Sequence, residues 1–127
     1  MPYELSFTKR VEVFDRTRYI NGCCIGGDVV SAALLPALQA HYGKVETGEE
    51  DWGWFMCATS DGLRIAVDIF TEDDLVGRFM ARAATSRKRP LLGWREVDTD
   101  ALEELREIVQ ARLTEWVGQP PLVVHVD

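Results

Sequence analysis

The residues most able to do chemistry in this chain are basic. Arg78, Arg82, Arg87, Lys88, Arg89 and Arg95 form a stretch without a single acid from Gly77 through Arg95. They stand in a chain whose 14 Lys and Arg are outnumbered by 21 Asp and Glu. Guanidinium groups gathered in this way suit carboxylates and phosphates, which they can grip with two parallel hydrogen bonds. The chemistry expected of them is recognition of an acidic protein surface or of a phosphorylated small molecule. The plainer alternative is an edge strand guarded by positive charge and neutralised inside the fold by the Glu72–Asp74 and Glu103–Glu107 clusters. Trp52 and Trp54 lie two residues apart and are expected on one strand face. They form an aromatic platform if that face is open and part of the core if helices cover it.

A second constellation is the loop Asn21-Gly22-Cys23-Cys24-Ile25-Gly26-Gly27-Asp28, placed just before an apolar helical stretch. Backbone N–H groups at a helix start attract anions and lower thiol pKa values. A pocket built from Cys23, Cys24, Gly26 and Gly27, with His41 as a base, is therefore the alternative site. Against it, no Gly-Lys-Ser/Thr follows, the glycine spacing is not that of a dinucleotide fingerprint, and Asp28 sits where a phosphate would be. A tight connection needing glycine, with cysteines buried as small hydrophobes, explains the same residues.

Other chemistries find no support. Asp68, Glu72, Asp73 and Asp74 lack the glycine and distal glutamate of a calcium loop. His41 and His125 have no ligand spacing to each other or to cysteine, so no metal is expected. Neither Ser31 nor Ser60 lies in a nucleophile elbow. No cofactor motif is present. The expectation is a binding module of adaptor or immunity-protein type working through a basic edge. A small enzyme or ligand pocket at the Cys23–Gly27 loop is the alternative.

The whole-chain numbers agree. A length of 127 residues fits one domain covering 1–127, and 46% hydrophobic with 28% charged residues is a globular composition. The net charge of −7 makes the chain a poor general nucleic-acid binder, because phosphate contacts need a basic surface. The odd count of three cysteines, two of them adjacent, is no disulfide framework and points to a reducing, cytoplasmic setting. The apolar run Val29–Ala40 is too short for a bilayer span, and the first ten residues lack the order of a signal peptide, so no membrane role is expected.

The elements that must position these residues follow from periodicity. Leu5, Phe7, Val11 and Val13 alternate with polar neighbours, predicting a strand from Tyr3 to Phe14. Asp28 is the expected cap of a helix that ends at Gly43, with Pro36 kinking it or delaying its start to Leu35. Lys44–Asp51 reads as a solvated acidic loop. Asp61-Gly62 between two apolar runs predicts a hairpin. A two-residue turn pairs Ser60 with Leu63 and Met56 with Val67, giving one apolar face. A three-residue Ser-Asp-Gly loop would flip that face. The two-residue turn makes the better cross-strand pairs and is preferred. Arg78–Ser86 alternates Phe79, Ala81 and Ala83 with polar residues, and Leu91–Val97 is an optional extra strand outside the five of the fold. Asp98 or Asp100 caps a last helix whose stripe is Leu102, Leu105, Val109, Leu113 and Trp116. Leu122–Val126 closes the chain as a strand. The fold class is α+β: a largely antiparallel sheet of about five strands with two helices on one face, in the order β-α-β-β-β-α-β.

Overall fold

The computed structural model describes residues 1–127. It contains β1 (Tyr3–Thr8), α1 (Gly27–Tyr42), β2 (Glu46–Glu50), β3 (Gly53–Ser60), β4 (Leu63–Asp73), β5 (Arg78–Arg89), β6 (Gly93–Glu96), α2 (Asp100–Val117) and β7 (Leu122–His125). All strands pair antiparallel in one sheet of order β2-β3-β4-β5-β1-β7, with β6 pairing the far end of β5. The α+β class and the antiparallel sheet are as expected. The strands number seven, because β2 forms where a loop was expected and β6 is separate.

The central hairpin takes the two-residue turn. Ser60 pairs with Leu63, Met56 with Val67 and Trp54 with Ile69. Asp61 and Gly62 have φ of 51° and 79°, the pair of positive angles that a type I′ turn requires. Met56, Leu63, Ile65, Val67 and Ile69 thereby join Leu5, Phe7, Phe79, Ala81 and Ala83 on one buried face. Val30, Leu34 and Leu38 of α1 and Leu105, Val109 and Leu113 of α2 cover that face and complete the core. The opposite face of the sheet carries no helix.

Several boundaries differ from the sequence reading, each for a physical reason. β1 ends at Thr8, where its partner β5 begins at Arg78. Lys9 N–H then donates to Gly77 O at 2.8 Å as the chain turns away. Gly26, not Asp28, is the N-cap of α1, at φ 83°. Asp28 is the second residue of the helix, within its first turn, and accepts a hydrogen bond from Tyr19 Oη at 2.7 Å. Pro36 leaves α1 uninterrupted. Its missing N–H deprives the carbonyl of Ala32, and both residues are exposed, so water can replace that bond. With the turn before it, Gly22–Tyr42 is also longer and more apolar than its uncharged run suggests, enough to span a bilayer by length and composition. In this fold its Val30, Leu34 and Leu38 are core residues. Acidic β2 is an edge strand against β3, where charge deters pairing with another chain. Thr99 is the N-cap of α2, and Glu103 accepts from Tyr3 Oη and Arg106 instead of closing a capping box.

Candidate binding surface

Alternation along β5 decides where the basic stretch goes. Phe79, Ala81, Ala83 and Thr85 point to the helices and are buried. Arg78, Arg82 and Lys88 share the other parity and stand on the open face. Arg87, Arg89 and Arg95, which pairs across from Arg87, belong to the helix-side parity but lie beyond the helices. The six cations therefore do not form one edge. A strand cannot present consecutive residues to one side.

Arg82 is neutralised within the fold. Its Nη2 donates to both carboxylate oxygens of Glu96, at 2.9 and 2.7 Å. Of the carboxylates expected to neutralise the rest, Glu72 is exposed and unpaired and the others are engaged elsewhere. Asp74 pairs with Arg16, Asp73 caps the turn at Leu75, Glu103 and Glu107 pair with Arg106, and Glu104 pairs with His41. Arg87, Lys88, Arg89 and Arg95 are exposed on the projecting β5–β6 hairpin and make no ion pair.

The tip of that hairpin is apolar. Leu91 is fully exposed and Leu92 and Trp94 are 57% and 44% exposed. Leu92 N–H donates to Arg89 O at 3.2 Å, closing the turn Arg89-Pro90-Leu91-Leu92. Proline second and a positive φ of 65° at Leu91 third form a type II pattern, in which glycine is the usual third residue. A leucine there costs about 1–2 kcal/mol in backbone strain, and its side chain recovers nothing by burial.

The two tryptophans separate. Trp54 faces the core, where its Nε1 donates to Cys24 O at 3.0 Å. Trp52 lies in the β2–β3 turn and rests on Phe70, ring centroids 5.2 Å apart, on the open face. Gly53, at φ 155°, breaks the strand alternation between them. The expectation that they share one face therefore fails.

On that open face Trp52 borders a cleft of about 360 Å³ lined also by Phe55, Cys57, Asp68, Arg82 and Glu96. Asp68 stands directly across from Arg82 and beside Phe55. Burial pushes its carboxyl up, against the pull of Arg82 and Arg64. The sequence offered Asp68 only as one of four carboxylates weighed as a cation loop, not as a member of this surface. The alternation Arg64, Ala66, Asp68, Phe70 was its signal, but its partner across the ladder depends on the β4–β5 register.

The alternative pocket is not assembled. Gly26 sits against Val11 and Phe79, and a Cβ at Gly27 would lie 2.1 Å from Trp54 Cδ1. Trp54 bonds the carbonyl of Cys24, and Thr71 Oγ1 bonds that of Ile25 at 2.8 Å. The glycines serve close packing. His41 ends α1, about 21 Å along the helix from Gly27 at 1.5 Å per residue, and pairs with Glu104. Asp68, Glu72, Asp73 and Asp74 are likewise dispersed, and no cluster of His, Cys, Asp or Glu could hold a metal ion.

All three cysteines are free: Cys23 exposed, Cys24 buried and Cys57 half-buried. Cys24 Sγ donates to Glu50 O at 2.9 Å, and burial raises its pKa. Thiol titration should therefore find Cys23 reacting first in the native protein and Cys24 only on unfolding. The unfolded, unreduced chain should yield all three thiols. A yield of one would reveal a disulfide and overturn this assignment.

No family model, curated protein or solved structure matches the chain.

Proposed function

We propose that the protein is a protein-interaction module, of adaptor or immunity-protein type, that engages an acidic partner through the β5–β6 hairpin. The observation that carries this reading is Leu91. It is a bulky residue held at positive φ, fully exposed, among cations that have no partner in the fold. Folding stability alone favours glycine at that position. An interaction offers a reason for leucine, because an exposed apolar anchor ringed by charge is how interfaces concentrate binding energy. A convex projection with cations on both faces also suits a protein surface better than the enclosed grip a small phosphorylated ligand needs.

Two variants test it. Reversing Arg87, Lys88 and Arg89 to glutamate should leave the melting temperature within a few degrees, as surface changes usually do. It should also abolish capture of a specific protein from native lysate, capture that in the unmodified chain weakens with salt. Leu91→Gly should keep stability or raise it by up to about 1 kcal/mol, while weakening the same capture. A large stability loss in the triple variant with captured proteins unchanged would leave the hairpin as scaffold and end this reading.

A further inference from the structure

The open face of the sheet has no helix over it, and its middle is more apolar than a solvated surface, although Glu4, Ser6, Thr8, Arg64, Arg78 and Lys88 also stand on it. From β3 to β5 it presents Phe55 and Cys57, then Ala66, Asp68 and Phe70, then Met80, Arg82 and Ala84. Leu122 and Val124 on β7 add apolar residues at the edge, separated from the middle by Glu4 and Ser6 of β1. Leu122 and Val124 are exposed, at 69% and 47%. A sheet face with this much apolar area is ordinarily packed against a second layer.

The charges in its middle identify the layer. Asp68 and Arg82 are direct cross-strand neighbours on the two central strands. Asp68 feels Arg82 and Arg64 only through space and accepts no hydrogen bond. Arg82 commits Nη2 to Glu96 and leaves Nε and Nη1 without a carboxylate. Each thus has bonding capacity that its own chain leaves unused.

A twofold axis running along the strands, between β4 and β5, exchanges the two strands when one copy is laid face to face on another. Asp68 of each copy then lies opposite Arg82 of the other. On these two strands the same operation sets Phe70 over Met80 and Ala66 over Ala84, so apolar meets apolar and small meets small, while on the flanking strands Phe55 falls over Glu4 and Leu122 over Glu50. The self-complementarity an isologous interface requires is therefore carried by the central strands β4 and β5. Six strands at about 4.8 Å and rows of about 20 Å offer roughly 600 Å² per copy, or about 1,200 Å² for the pair, the lower limit of a stable interface. We infer that the open sheet face is the site at which a second copy of this chain docks, with reciprocal Asp68–Arg82 pairs at its centre. The hairpin proposed to hold an acidic partner is not needed for this contact.

The test is the oligomeric state of the full chain by sedimentation across micromolar concentrations. The expected result is a dimer. Asp68→Arg and Arg82→Asp should each weaken it about a hundredfold, because like charges then face one another. An equimolar mixture of the two variants should recover a heterodimer, since each supplies the charge the other lacks. A merely structural role for these residues predicts no such recovery. Circular dichroism of each variant establishes that it is folded. A monomer at every concentration overturns the inference by itself, without any variant. So does a dimer indifferent to both reversals, and so do folded variants that fail to recover on mixing.

Discussion

Leu105→Ala should destabilise the protein by about 2–5 kcal/mol. Leu105 is fully buried at the centre of the α2 stripe and belongs to the same core as Leu5, Phe79 and Val109. Truncation removes its side chain from that core and leaves a void lined by β-sheet and helix residues that cannot all move in. The suitable control is Ala111→Ser, on the exposed side of the same helix, which should cost about 0.5 kcal/mol from propensity alone. Glu104 is a poorer control, because it pairs with His41 of α1. Denaturant midpoints measure both variants. Equal midpoints would overturn the packing of α2 on the sheet.

Gly27→Ala should cost about 1–3 kcal/mol, the usual penalty of overpacking. Gly27 has no unusual φ, so the effect is purely one of space. A methyl group there would stand 2.1 Å from Trp54 Cδ1 and 2.8 Å from Nε1. The indole must move, and its hydrogen bond to Cys24 O is strained or lost. A double-mutant cycle separates this from the gain in helix propensity that alanine brings. Combining Gly27→Ala with Trp54→Leu should cost less than the sum of the single changes, because the smaller side chain vacates the space. Strict additivity would show that Gly27 is not there for Trp54. The same experiment bears on function. A glycine loop that cradled an anion would lose binding in this variant, whereas a packing loop loses stability.

The register of the central hairpin, the stripe of α2 and the class of the fold are all written in local pattern. Asp61-Gly62 admits positive φ at both turn positions, and one register alone makes a uniformly apolar face. Leu102, Leu105, Val109 and Leu113 repeat at helical spacing regardless of what they touch. The boundaries of β1, the strand character of acidic Glu46–Glu50 and the cap of α1 are not local. β1 ends because its partner does, and β2 exists because β3 offers it an edge.

The candidate surfaces divide along the same line. The sequence alone determined that the cations cluster and that no acid lies among them. It also determined that they sit on a strand whose neighbours are core. Tertiary structure decided which carboxylates reach them. Glu96 comes back along β6 to hold Arg82, while Asp74 and Glu104 are drawn to Arg16 and His41, leaving the hairpin cations unpaired. It likewise set Asp68 beside Arg82 and carried Trp52 away from Trp54. The physical reason is range. Turn chemistry and periodicity act within a few residues, but charge pairing and strand register join residues far apart in the chain, and only the assembled sheet brings them within reach.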